Sequence, residues 1–312
     1  MTTAPATAPA TAGATLDRPL LGILLMCGFC LLAPVSDALA KLLGGAVPLG
    51  MLMLVRFGAQ IVLMGPLALL QRASFHLTPR LWKLTLARTG LQMGGITFMF
   101  SGLRYLPLAD AVAIGFVFPF ILLLLGKIFL HEKVGPHRLS ACAVGFIGTL
   151  GVIQPNFAIF GLPALLPAVS AVFFALYILV VRAMAKDLDP QAAQTICGLQ
   201  ACVILLPILI WGPTASLSLI RTDATTTLLL AALGAVGCFS HLCMSWSLRF
   251  APSATLAPMQ YLEIPVSALI GWLIWGSWPN GLAAIGIAIT IGAGLYIILR
   301  ERAISRGQPA AP

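Results

Sequence analysis

Ten separate apolar runs, each long enough to cross a bilayer, occupy the chain from about Leu20 to Leu299. A helix needs roughly 20 apolar residues to cross about 30 Å of hydrocarbon. Lipid offers no hydrogen-bond partner to a free backbone amide or carbonyl, so runs of this kind must be helices. The sequence therefore predicts an all-α membrane protein with ten transmembrane helices. Its function has to be something done across or within a membrane.

Composition closes off other classes. Of 312 residues, 60% are hydrophobic and only 9% charged, and the mean hydropathy is +1.01. A soluble domain carries about a quarter charged residues, so no soluble catalytic domain is hidden between the spans. The net charge of +9 raises the question of nucleic acid. The basic residues, however, are spread over loops at span ends, which is the pattern of a topology signal and not of a phosphate-binding face. No nucleic-acid partner is expected. Cys27, Cys30, Cys142, Cys197, Cys202, Cys238 and Cys243 all lie inside apolar runs. Cys27 and Cys30 have the CxxC spacing of redox and metal motifs. No second ligand pair follows, and cysteine in a buried helix behaves as a small apolar residue. Neither a disulfide, a metal nor a cofactor is expected.

The spans fall near 19–39, 48–70, 83–103, 108–130, 137–154, 160–180, 191–211, 226–247, 253–275 and 281–299. Pro48, Pro107, Pro136, Pro190, Pro252 and Pro279 sit at or near their starts, where a helix tolerates proline. Met1 to Thr15, rich in Ala, Thr and Pro, reads as disordered. It lacks a basic leader region, so the first run reads as a retained span rather than a cleaved signal. With the N-terminus in the cytoplasm, the inner segments hold Arg18, Arg72, Arg80, Lys83, Arg88, Lys133, Arg138, Arg182, Lys186, Arg249, Arg300, Arg302 and Arg306. The outer segments hold Lys41, Arg104 and Arg221. Thirteen against three places both termini in the cytoplasm by the positive-inside rule. The expected location is a bacterial-type inner membrane, crossed many times.

The chain also repeats itself. Arg104-Tyr105-Leu106-Pro107-Leu108-Ala109 recurs as Arg249-Phe250-Ala251-Pro252-Ser253-Ala254, each copy opening the fourth helix of its half. A second proline follows in each, Pro119 and Pro265, with the spacing slipped by one residue. The chain thus reads as two five-span units. Five is odd, so the units are inverted. Residues 19–154 form the first, 155–300 the second, with tails at 1–18 and 301–312. Inverted repeats with interrupted helices at matching positions are a transporter signature, because exchanging the conformations of two similar halves exchanges one opening for the other. Duplication that merely builds a stable bundle is the blander reading.

Two stretches resemble a known family. They are "LRYLPLADAVAIGFVFPFILLLLGKIFLHEKVGPHRLSACAVGFIGTLGVIQP" and "LRFAPSATLAPMQYLEIPVSALIGWLIWGSWPNGLAAIGIAITIGAGLYII". In order and spacing the chain resembles the drug/metabolite transporter superfamily, in its ten-span branch with two EamA domains, from about Leu20 to Glu301. The family's fourth span usually ends in Gly-Glu. Here His131-Glu132-Lys133 keeps only the Glu, and Gly276-Ser277 stands in the second half. The resemblance implies a carrier of small metabolites: amino acids, vitamins such as riboflavin, nucleoside-like cofactors such as S-adenosylmethionine, metallophores or drugs. It does not choose among them.

Ionisable groups within spans are costly and usually face a cavity, so they point to the cargo path. Asp37 and Lys41 lie four apart and share a helix face. Arg56 sits about 12 Å below the outer end of the second span, at 1.5 Å per residue, and Asp110 starts the fourth span on the same side. These four form either one charged binding cluster or a set of interfacial ion pairs, with Lys41 snorkelling. Arg56 stays charged and suits a carboxylate or phosphate. Glu263 lies near the midplane beside Gln260, Tyr261 and Pro265. It is either a cation- or proton-binding carboxyl or an internal partner of Arg56 or His241. His241 is a candidate proton relay or a packing residue. Gln92 and Trp246 are weaker candidates. Gly90-x3-Gly94 offers a close helix approach, and Trp272, Trp275 and Trp278 offer an interfacial belt.

The expected function is secondary transport of a small polar or amphipathic metabolite by alternating access, in a monomer or homodimer embedded in the lipid bilayer. No GxxxxGK[ST] motif is present, so ATP is not the direct energy source. The alternative is an intramembrane enzyme acting on a lipid, which needs clustered carboxylates or a nucleophile and base. Asp187 and Asp189 are the only close acidic pair for it.

Overall fold

The computed structural model describes residues 19–129, 136–185, 187–211, 214, 216–250, 256 and 259–307. The His131-Glu132-Lys133 stretch and both tails' outer residues lie outside them. The helices are α1 (Pro19–Leu43), α2 (Leu49–Ala59), α3 (Gly65–Leu70), α4 (Pro79–Leu103), α5 (Leu108–Gly115), α6 (Phe118–Phe129), α7 (Pro136–Phe160), α8 (Leu166–Met184), α9 (Pro190–Trp211), α10 (Ala224–Phe250), α11 (Glu263–Trp275) and α12 (Gly281–Gly307). A π-turn, Gln60–Met64, joins α2 to α3 in one span, and α5 and α6 share another. The result is ten membrane segments. Six of them, 20–43, 49–70, 143–160, 162–184, 190–211 and 224–250, are long and apolar enough to cross by composition alone. No strand occurs among the described residues.

Helix ends follow local chemistry. Thr78 caps α4, its hydroxyl accepting from the Leu81 N–H at 3.3 Å, with Pro79 at the first turn. The third span therefore starts at Pro79, four residues before the expected 83. The fifth continues through Pro155 to Phe160 and stops where Gly161 takes φ +68°. Gly276, at φ +64°, ends α11 in the left-handed conformation that glycine adopts without a Cβ penalty.

The packing displays the inverted repeat. The first span packs on the eighth and the sixth on the third; the second meets the seventh, the fourth the ninth, and the fifth the tenth. Exchanging the halves maps this set of pairs onto itself, so every span is held by the opposite half. The fifth and tenth approach closely, where a Cβ on Gly286 would lie 2.5 Å from the Gly148 carbonyl oxygen. Of the Gly90-x3-Gly94 pair only Gly94 is at a contact: a Cβ there would meet the Phe173 ring at 2.4 Å, whereas Gly90 has open space.

Both repeats break their fourth helix at the same place. In the first half the turn is Phe116–Val117, nine and ten residues after Pro107. In the second it is Tyr261–Leu262, nine and ten after Pro252. The downstream prolines 119 and 265 cannot donate a backbone hydrogen bond, which leaves the chain free to turn there.

Each half also carries an arginine clasp. Arg104 Nη2 donates to the Val47 carbonyl at 3.0 Å, and Arg249 Nη1 reaches Asp189 Oδ2 at 3.2 Å. Val47 and Asp189 each precede the proline that opens the second span of their half, so the two contacts are repeat mates at opposite ends of the bundle. Lys41 reinforces the first end by donating to the Leu103 carbonyl at 2.8 Å and to that of Leu106. Its amine also lies 5.6 Å from the Trp275 ring. Arg80 reinforces the other end, 3.1 Å from Asp187. At the Lys41 end, backbone N–H groups and Thr226 bond the exposed Asp223 carboxylate ahead of α10 and hold it below the usual carboxylate range.

Candidate functional site

The first spans of the two halves and the broken helices, together with α2, α4 and α10, line a central cavity of about 140 Å³. At 10–15 Å³ per water centre that is room for roughly ten waters, in the middle of the bundle. Asp37 enters it from α1, Arg56 from α2, Gln92 from α4, His241 from α10, and Glu263 as the first residue of α11. Ser170 and Ser240 add hydroxyls.

Arg56 is 5% exposed, and its Nε and Nη1 have no hydrogen-bond partner among the described residues. The guanidinium fits because α10 has glycine opposite: a Cβ at Gly237 would lie 0.7 Å from Nη1. No ion pair of 4.0 Å or less joins Arg56 to Asp37 or Glu263 among the described residues. Gln92 Oε1 accepts from Cys197 Sγ at 3.1 Å, and its Nε2 is unpartnered. Buried polar atoms are normally satisfied, so these orphans mark a place where a further group belongs.

The cavity wall is aromatic. Tyr261 meets Phe116, Phe116 meets Phe118, Phe118 meets Phe174, Phe174 stacks on Tyr177, Tyr177 meets His241, and His241 meets Phe29, with ring centroids 5.0 to 6.3 Å apart. Apart from Tyr261, every ring in this chain lines the cavity. Phe116 and Tyr261 are the residues at the two helix breaks; the first break delivers the Phe116 ring to the cavity, and the second delivers Glu263, with Tyr261 packed behind Phe116.

Comparison with known proteins gives the fold its family. The model of the EamA-like transporter family matches residues 20–154 and again 161–300. The chain belongs to that family. It is an EamA transporter of the drug/metabolite superfamily, and its ten helices are the two EamA repeats. It is similar to a riboflavin transporter of Rhizobium johnstonii, 30% identical over 69% of this chain and 70% of the relative. It is also similar to an S-adenosylmethionine uptake transporter of Rickettsia prowazekii, 25% identical over 67% and 69%. One crystal structure superposes with a TM-score of 0.64, at 21% identity over 91% of this chain and 98% of that one, and shows the same fold.

Within this EamA transporter the predicted site residues divide. Asp37, Arg56, Gln92, His241 and Glu263 share the cavity. Lys41, Asp110, Gln260 and Tyr261 are not among its lining residues. The single charged cluster of Asp37, Lys41, Arg56 and Asp110 does not form. The long Lys41 stem carries its amine to carbonyls at the end of α4, where the helix dipole is negative. Asp110 faces the fifth span and accepts from Asn156 Nδ2 at 3.0 Å. Tyr261 is buried behind Phe116. Asp187 and Asp189, the acidic pair of the enzyme reading, are each engaged by a different arginine at one end of the bundle.

Sequence reading missed Arg88. Placing the third span at 83 put Arg88 among the basic residues at the membrane edge. With α4 starting at Pro79 it lies nine residues in, about 14 Å along the helix, and it is 2% exposed. The Thr78-Pro79 cap and first-turn pair was the available signal. The loop asymmetry becomes twelve to three, with the same sign.

Proposed function

We propose that this transporter carries a small planar heteroaromatic metabolite with polar substituents, a vitamin or nucleoside-like compound, by alternating access between its inverted halves. The observation that carries this reading is the run of rings lining one polar cavity. Aromatic faces bind a flat ring by stacking at little entropic cost, while Arg56, Asp37, Gln92 and Glu263 offer both donors and acceptors to its substituents. The riboflavin and S-adenosylmethionine relatives each carry such a ring, and their names support the class.

The two clasps supply the gates. The Arg104–Val47 contact closes one end and the Arg249–Asp189 ion pair the other, and each must open in turn. We place the Arg249 end and both termini in the cytoplasm, supported by the asymmetry of basic residues. Glu263 is the coupling group. The cavity has one guanidinium and two carboxyl groups facing it, and an uncompensated charge in such a space is expensive. A proton or a cationic substituent restores the balance.

Counterflow in proteoliposomes loaded with unlabelled compound tests the class. We expect accumulation of labelled riboflavin or S-adenosylmethionine, competed by flat heteroaromatic analogues and not by aliphatic amino acids. Counterflow with leucine or lysine and none with any ring compound would reject the aromatic class.

A further inference from the structure

Two buried side chains of the cavity wall, Tyr177 and His241, stand in line with Arg88 behind them. Arg88 Nη1 donates to the Ala193 carbonyl at 3.0 Å, and Nη2 donates to the Tyr177 hydroxyl oxygen at 3.3 Å. The same hydroxyl lies 3.4 Å from His241 Nδ1. Arg88, Tyr177 and His241 are 2%, 1% and 9% exposed, so bulk water does not compete for these bonds. Arg88 also sits 5.5 Å from the centroid of the Tyr177 ring, which holds the pair together.

The chemistry of the three groups allows a single direction to run along the line. A guanidinium only donates and has no acceptor. The Tyr177 oxygen therefore accepts from Arg88, and its single proton can be given to His241. With the proton turned that way Nδ1 is the unprotonated nitrogen, since two donors cannot face each other. A neutral imidazole with a bare Nδ1 carries its proton on Nε2. His241 lines the cavity, and its Nε2 has no hydrogen-bond partner among the described residues.

We propose that Arg88 and Tyr177 act as positioning residues that lock His241 as a hydrogen-bond donor to the cargo through Nε2–H. The cargo must then present an acceptor at that point, such as a ring carbonyl or an unprotonated ring nitrogen. This deepens the transport reading above and rests on it only for the identity of what the donor meets. The lock itself is a property of the protein alone. It makes the site selective by sign, because a donor on the cargo would face a donor and leave two buried groups unpaired.

Nitrogen-15 spectra of the purified transporter, labelled at histidine and assigned with His241→Gln, read the tautomer directly. We expect His241 with Nδ1 bare and Nε2 protonated. Tyr177→Phe should convert it to a mixture of tautomers, and Arg88→Met should do the same by freeing the hydroxyl to turn. A protonated Nδ1 in the unaltered protein overturns the lock, as does a tautomer indifferent to Tyr177→Phe. Riboflavin binding supplies the second readout. His241→Gln keeps an amide donor near Nε2 and should bind about tenfold tighter than His241→Leu, the usual worth of one buried hydrogen bond. Equal binding by the two variants overturns the donor role. If the unaltered protein binds no riboflavin, the choice of cargo fails, and the tautomer spectra still uphold or reject the lock.

Discussion

Gly237→Ala is expected to disable transport as thoroughly as Arg56→Ala, with the double variant no worse than either alone. The added methyl would have to occupy the position of Arg56 Nη1, 0.7 Å away, and would lie 1.9 Å from Cζ. The guanidinium is the far end of a flexible side chain, so it yields by moving as a unit. It must leave the slot between α2 and α10. Arg56→Ala removes the cavity's cation and Gly237→Ala displaces it from its slot, and because both act through one group their effects should not add. Loss of a buried charge partner costs roughly 3 kcal/mol, on the order of a hundredfold in transport rate. Arg56→Ala should still insert and purify. Counterflow rates for the two single variants and the double variant decide the matter. Near-normal transport in Gly237→Ala would mean that Arg56 does not work from the slot it occupies.

Glu263→Gln should abolish proton-driven accumulation while sparing exchange of cargo for cargo. The amide keeps the shape and hydrogen bonding of the carboxyl and removes its titration. Exchange returns a loaded carrier and does not require the proton to leave, whereas net uphill movement does. If Glu263 only holds α11 in place, both modes should fall together with the thermal stability of the protein. Undiminished proton-driven transport in Glu263→Gln would remove coupling from this residue.

Much of this architecture was legible in the sequence because membrane helices announce themselves one at a time. Lipid forces each apolar run into a helix, and the two copies of Arg-x2-Pro fixed the repeat and its inversion. The breaks at Phe116 and Tyr261 were legible only as the prolines that follow them. The site was harder to read for a different reason. A charged residue in a span shows depth but not direction. Asp37 and Lys41 share a face by spacing, yet a lysine stem is long enough to reach the carbonyls of Leu103 and Leu106, and an aspartate is not. Asp110 starts a helix on the outer side that the sequence reading also gives Arg56, but its neighbour across the bundle is Asn156. The aromatic wall was invisible because Phe29, Phe116, Phe118 and Phe174 are ordinary span residues until four helices bring them together. Arg88 was lost to a four-residue error in one helix start, which is enough to move a charge from the interface to the core.

The central claim is that one cavity, lined by Arg56, Asp37 and Glu263, opens to each face of the membrane in turn. Ala33 lines that cavity one turn before Asp37, and its methyl is small enough to replace with a thiol. Ala33→Cys in a cysteine-free background, treated with a membrane-impermeant thiol reagent from one side or the other, reads the opening directly. Leu219→Cys, on the loop at the Lys41 end, controls for sidedness and should react only from outside. Ala33→Cys should react from both faces in separate experiments, and transported cargo should slow both reactions. Reaction from a single face under every condition, with cargo giving no protection, would contradict that claim.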